Sequence, residues 1–191
     1  MKKLLGPIAV IIGIIVVLAI ILVPSYNKFV TSEENVDQAY SQIETQLQRR
    51  VDLIPNLVNT AKGYAKHEKE VFTNIADARS KLAGARTPED QATANNELTG
   101  ALSRLLVVAE NYPELKADKQ FTQLMDELAG TENRIAVSRK DYNTEVASYN
   151  KQVQRFPGKL VASVFGFDKK EYFKAAPGSE EAPSVDFGDD A

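Results

Sequence analysis

The sequence predicts an all-α protein, with a single N-terminal transmembrane helix followed by an elongated antiparallel helical bundle of long, heptad-patterned helices. Three observations carry this. Residues 4–23, with Leu4 first and Val23 last, contain no charge and no strongly polar side chain. Two later stretches repeat apolar residues at alternating steps of three and four, the spacing of a helical seam. Glycine and proline are sparse between the apolar run and the last twenty residues, as a mostly helical chain requires.

At 191 residues the chain has room for one domain with attachments. It divides into residues 1–30 (a cytoplasmic stub, a transmembrane signal anchor and a juxtamembrane segment), 31–174 (the helical bundle) and 175–191 (an acidic flexible tail). Cysteine is absent, which removes disulfides and thiolate metal sites. The net charge is −3, with acids and bases mixed along the chain, so there is no basic footprint for nucleic acid.

The apolar run spans about 30 Å as a helix, the thickness of the hydrocarbon core, so its partner is the lipid bilayer. Pro7 lies in the first turn, where proline is tolerated. A cleaved signal peptide is the competing reading, but the run is too long and no small-x-small site precedes Pro24-Ser25-Tyr26. Lys2 and Lys3 come before the span and Lys28 after it. The excess of positive charge therefore puts the N-terminus in the cytoplasm and the helical domain on the outer side.

The first long helix of the bundle is expected to start at Ser32, with Glu33 and Glu34 favourable to its dipole. Its stripe is Val36, Tyr40, Ile43, Leu47, Val51, Ile54, Val58, Ala61 and Ala65. Within it, QRRVDLIPNLVNTAKGYAKHE (48–68) holds two residues that helices disfavour, Pro55 and Gly63, and the only histidine, His67. Pro55 costs roughly 3 kcal/mol in a helix interior and Gly63 about 1 kcal/mol relative to alanine. They imply a bend at Pro55 and a close backbone approach at Gly63. A second apolar line, Val71, Phe72, Ile75 and Leu82, extends to Gly84. Either one long bent helix or two nearly collinear helices broken within residues 63–69 accounts for it.

Gly84-Ala-Arg-Thr-Pro-Glu-Asp then stops one helix and starts another, with Thr87 as N-cap and Pro88 at the first helical position. That helix aligns Leu98, Leu102, Leu105, Ala109 and Tyr112 and ends before Pro113. The third runs from near Asp118 to Phe156. Its stripe is Phe121, Leu124, Leu128, Ile135, Tyr142, Val146, Tyr149, Val153 and Phe156, with Gly130 as a weak point. Phe156-Pro157-Gly158 ends it. Residues 159–167 form a short amphipathic helix, and Asp168 caps a turn through Glu171-Tyr172-Phe173. That helix either closes the end of the bundle or lies in the membrane interface. From Ala175 onward the chain carries five acids and no base, a solvated tail in which Val185 and Phe187 are the candidate docking residues.

The candidate structural or partner-binding residues are Arg49, Arg50, Asp52, Pro55, Asn56, Gly63, Tyr64, His67 and Glu68. Arg49, Arg50 and Asp52 lie one turn before Pro55, where a polar network would fix the bend. The carbonyl of Val51, deprived of its helical donor by Pro55, needs another, such as an arginine. An exposed charged face is the plainer alternative. Tyr64, His67 and Glu68 stand at helical spacing, but one histidine and one carboxylate make an incomplete metal site. Tyr142 and Tyr149, one heptad apart, read as packing. The chain lacks His-Glu-x-x-His, Gly-x-Ser-x-Gly and Gly-x-x-x-x-Gly-Lys. The expectation is therefore a protein that is not an enzyme and has no cofactor, no metal and no catalytic residue.

The stretch 48–68 resembles the LemA family of bacterial membrane proteins, and the likeness extends over nearly the whole chain after the anchor. Tyr26-Asn27, AENYPELKA (109–117), ELAGTENRIAVSRKDYN (127–143), YN (149–150), RFPG (155–158) and FGFDKKEYF (165–173) are similar to the family's other landmarks, in the same order. The resemblance implies one membrane span and a helical soluble domain and brings no assigned catalytic residue; the expected location is the bacterial inner (cytoplasmic) membrane, crossed once. The expected function is a membrane-anchored helical scaffold of the cell envelope that forms a homo-oligomer. The alternative is an adaptor or regulator of a membrane protease or other envelope protein. An undetected hydrolase, using carboxylates from several helices, ranks last.

Overall fold

The structure, a computed structural model, describes residues 2–174; the acidic tail, with Val185 and Phe187, lies outside the described residues. Helix α1 is Lys2–Tyr64, α2 Lys69–Gly84, α3 Pro88–Ala109, α4 Pro113–Lys116, α5 Lys119–Gln154 and α6 Gly158–Phe165. No strand occurs among the described residues, so the protein is all-α, with a long apolar N-terminal helix leading into a helical region.

Helix α1 is continuous for 63 residues. The expected start at Ser32 is therefore corrected: Ser32 is an interior residue, buried, and its hydroxyl accepts from Gln152 Nε2 at 3.0 Å. The N-terminal part of α1 is long and apolar enough to cross a membrane, and its apolar window is not buried by the rest of the chain. Val10, Ile15, Val17 and Ile20 are all more than half exposed. In water such a surface would be strongly unfavourable; in hydrocarbon it is the stable arrangement, because the helix satisfies its own backbone.

The described residues form two compact units, one of residues 2–43 with 137–172, the other of residues 44–136 with 173–174. In the first, the later part of α5 runs antiparallel to α1. Gln152 meets Ser32, and the Tyr142 ring lies 5.6 Å from that of Tyr40. Phe29, Val36, Ile43, Val146 and Tyr149 fill the core. Stripe residue Phe156 is instead 82% exposed, because α5 stops at Gln154 and position 156 leaves the helical face.

In the second unit, Leu47, Val51, Ile54, Leu57 and Ala61 of α1 and Phe72, Ile75 and Leu82 of α2 are buried. Leu98, Leu102 and Leu105 of α3 join Phe121, Leu128 and Ile135 of α5. Leu57 takes the buried position expected of Val58, which is half-buried. Residues 65–68 are a reversal, not a bend. Lys62 Nζ lies 5.7 Å from the Phe72 ring centre, and Arg79 Nε reaches Val51 O. α2 thus folds back antiparallel on α1: the break falls within residues 63–69 as expected, but neither the single bent helix nor the collinear pair is formed. The apolar line Phe72–Ile75–Leu82 needs a partner, and folding back lets the α1 stripe supply one.

Thr87 caps α3 as expected, its Oγ1 accepting from Asp90 N–H at 3.1 Å. Asp118 caps α5 through Oδ1, which accepts from Phe121 N–H at 2.8 Å. After α6 the chain from residue 167 to 174 is irregular. The expected turn at Glu171-Tyr172-Phe173 is absent because Asn150 holds this segment against α5. Its Nδ2 donates to Lys170 O and its Oδ1 accepts from Lys170 N–H, both at 2.9 Å. Tyr142 OH also donates to Glu171 O at 2.8 Å.

Candidate functional site

The second unit contains a buried polar cluster. Arg50 comes from α1, Asn95 and Thr99 from α3, and Glu132 from α5. The Arg50 residue is 2% exposed. Its Nη1 donates to Asn95 Oδ1 at 2.6 Å and to Glu132 Oε2, and its Nη2 donates to Thr99 Oγ1 at 3.0 Å. Asn95 Nδ2 lies 3.4 Å from both Glu132 oxygens. Thr99 Oγ1 returns its proton to Asn95 O at 2.9 Å. Arg50 Nε is buried without a partner. Burial pulls the Arg50 pKa below its ordinary value, while the charge of Glu132 and its hydrogen bond pull it back up. The guanidinium keeps its charge even so, since arginine starts from a very high pKa. A buried charge joined to three helices allows one registry among them and penalises slippage.

The structure separates these three residues: Arg50 is in the buried cluster, whereas Arg49 and Asp52 are on the exposed charged face that was the plainer alternative. Arg49 pairs with Glu127 at 3.6 Å and Asp52 accepts from Gln48 at 2.8 Å. The donor to Val51 O is Arg79 of α2, at 2.9 Å. Pro55 lacks the N–H that would have bonded this carbonyl, so the defect in α1 becomes a tie to α2. Pro55 and Asn56 are exposed.

Gly63 does not mark a close approach. A Cβ built there meets nothing within 4 Å, and the residue lies in the last turn of α1, where a break in helical propensity has little left to disrupt. His67 is exposed in the reversal, outside any helix, so it does not share a helical face with Tyr64 and Glu68. Those two reach elsewhere. Tyr64 OH donates to Asp118 Oδ2 at 2.8 Å, and Tyr112 OH donates to Glu68 Oε1 at 3.0 Å. The bond to Asp118 raises the Tyr64 pKa, and that to Glu68 raises Tyr112. The Phe121 amide, then Tyr64, hold Asp118 below the ordinary carboxylate value. Among the described residues no three His, Asp or Glu side chains converge as a metal site.

The first unit has an aromatic cluster. Phe29 stacks on Phe167 at 4.9 Å and meets Tyr149 edge-on at 6.1 Å, while Tyr26 contacts Phe165 at 5.0 Å. Tyr149 is fully buried, its hydroxyl has no partner, and burial pushes its pKa up to about 12. The sequence reading missed Arg79, Asn95, Thr99, Glu132 and Asn150. Asn95 had a signal: it sits three residues before Leu98 on the apolar face of α3, and a polar residue on a seam marks a specified contact. Glu132 lies within the landmark at 127–143, but nothing in the sequence paired it with Arg50, and Arg79 had no signal, since exposed-looking charges on separate helices reveal no pairing.

The landmarks noted in the sequence now have structural positions, and a family match covers most of them. Residues 39–187 match the LemA family. The chain belongs to the LemA family. Among similar proteins, magnetosome protein MamQ 1 of Paramagnetospirillum magneticum is 29% identical over 205 residues, covering 92% of this chain and 75% of the relative. MamQ of Magnetospirillum gryphiswaldense is 28% identical with the same coverage. Protein LemA of Metamycoplasma hominis is 25% identical over 154 residues, covering 78% of this chain and 69% of the relative. With the apolar helix, these relationships make this LemA-family chain a membrane-associated helical protein.

Proposed function

We propose that the chain is a non-enzymatic, membrane-anchored helical scaffold that presents its helical region to other proteins and to further copies of itself. The observation that carries this reading is the continuity of α1. One helix supplies the apolar run and then core residues of the first unit such as Val36 and Ile43, so that unit continues directly from the anchor. The names of the relatives specify no reaction, and the Arg50 cluster spends its polar groups on joining helices. Self-association is supported by Leu106 and Val107 on α3, exposed to 46% and 70%. The reading places the span in the bacterial inner membrane and the helical region on its outer face, by the charges of Lys2 and Lys3 against Lys28. Light scattering of the detergent-extracted full-length protein, with the detergent mass subtracted, tests it. A discrete multiple of the chain mass is expected. A monomer that also fails to cross-link to any neighbour in membranes refutes the proposal.

A second reading, an adaptor for a membrane protease or other envelope protein, is favoured by the exposed ridge Asp52, Pro55, Asn56 and Asn59 on α1. Its test is co-purification of a defined partner that Asn56→Glu abolishes while the chain mass in detergent stays unchanged.

A further inference from the structure

The short helix α6 leaves an apolar surface that no described residue covers. Val161 and Ala162 are buried, but Leu160 and Val164, one turn apart, are 55% and 70% exposed. Phe156 just before the helix is 82% exposed, and Phe165 at its end 49%. An eight-residue helix with its largest aliphatic residues outward is a poor cap for a core in water.

Its position says what the surface faces. Phe165 contacts Tyr26, and a Cβ placed on Gly158 would lie 3.3 Å from the Phe29 ring. Both ends of α6 thus sit beside residues 26–29 of α1. At about 1.5 Å per residue these lie roughly 4–9 Å beyond Val23, the last residue of the apolar run. That is the depth of the headgroup region, which adds about 5–8 Å to each side of the hydrocarbon core.

Charge agrees with depth. Residues 151–170 include Lys151, Arg155, Lys159, Lys169 and Lys170 against the single acid Asp168. Lys170 is paired with Glu33, and Asp168 shares a neighbouring groove with Lys159 and Lys169. Lys28, Lys151 and Arg155 line a cavity of about 360 Å³ together with Phe29 and Phe156 and with no acid. Exposed apolar side chains next to unpaired bases form an interfacial segment.

We propose that α6 with Phe156 is a second membrane contact, its apolar side chains seated in the interface and its bases on anionic phospholipid headgroups. This holds the first unit against the bilayer surface next to its own span. It rests on the membrane anchor but not on the scaffold reading.

The absence of native cysteine permits a direct test. Single cysteines replace Val10, Leu160, Val164 or Val137 in the full chain, are labelled with an environment-sensitive fluorophore and are reconstituted in phosphatidylglycerol–phosphatidylcholine vesicles. Val137, 60% exposed, lies on α5 beyond the Tyr40–Tyr142 contact, far from the span. Nitroxide-bearing lipid is expected to quench the probes at 10, 160 and 164 at least twofold more than the probe at 137, with iodide showing the reverse. Quenching at 160 and 164 is expected to weaken in vesicles of phosphatidylcholine alone. Equal quenching in the two lipids overturns the headgroup contact. Probes at 160 and 164 that behave like 137 overturn the proposal. So does shielding from iodide without lipid quenching, which means that a second protein copy covers the face. A Val10 probe that lipid does not quench removes the anchor, and the inference with it.

Discussion

Arg50 is the side chain whose loss the second unit should tolerate least. Truncation in Arg50→Ala removes hydrogen bonds to Asn95, Thr99 and Glu132. Asn95 is 0% exposed, so its Oδ1 is stranded at a cost of about 1–3 kcal/mol. The lost packing of the arginine stem adds to this, while the Glu132 side chain, 36% exposed, recovers water. The sum is about 2–4 kcal/mol. At about 2–4 °C per kcal/mol for a protein of this size, the thermal midpoint drops by roughly 10 °C. Glu132→Gln leaves the buried guanidinium without its counter-charge and costs about 1–3 kcal/mol. Arg50→Ala/Glu132→Gln should then cost less than the two single substitutions added together, by at least about 1 kcal/mol. Urea titration of the detergent-solubilised full chain, followed by helical ellipticity, measures all four corners. A loss below about 1 kcal/mol for Arg50→Ala, or additivity within about 0.5 kcal/mol, refutes the reasoning.

Three further outcomes follow from other contacts. Arg79→Ala leaves Val51 O unpaired and costs about 1 kcal/mol; in a Pro55→Ala background, where residue 55 regains its N–H, the cost should largely vanish, as a double-mutant cycle would register. The Tyr149 pKa is raised from 10.0 to about 12, so the folded state holds this proton more tightly and the associated stability, present below pH 10, is lost as pH rises toward 12. At 1.36 kcal/mol per unit the loss reaches about 2–3 kcal/mol, and Tyr149→Phe, which keeps the ring and deletes an unpartnered hydroxyl, should flatten that part of the stability–pH curve. Gly158→Ala puts a Cβ against the carbonyl oxygen of Gln152, which forces the backbone to move; a loss of about 1–3 kcal/mol is expected, with the Phe29–Phe167 stack disturbed in near-ultraviolet dichroism.

The sequence by itself determined the long apolar N-terminal helix, the helical class and most of the core. An uncharged run of twenty residues is legible as a long apolar helix, and the seam residues Ile43, Val51, Leu98, Ile135 and Tyr149 are buried. The cap at Thr87 and the stop at Phe156-Pro157-Gly158 were legible because they depend on neighbouring residues alone. Helix propensity also explains why the reversal at residues 65–68 was located but its direction was not: a break says where a helix ends, not where the chain goes next. Only the tertiary structure decided that α2 folds back, that Arg79 serves the carbonyl Pro55 leaves open, and that Arg50 belongs to Asn95, Thr99 and Glu132. Periodicity records which face of a helix is apolar. It does not record which charges meet, because partners 45 and 82 residues apart are brought together only by packing, where burial turns an ordinary surface charge into a specified contact.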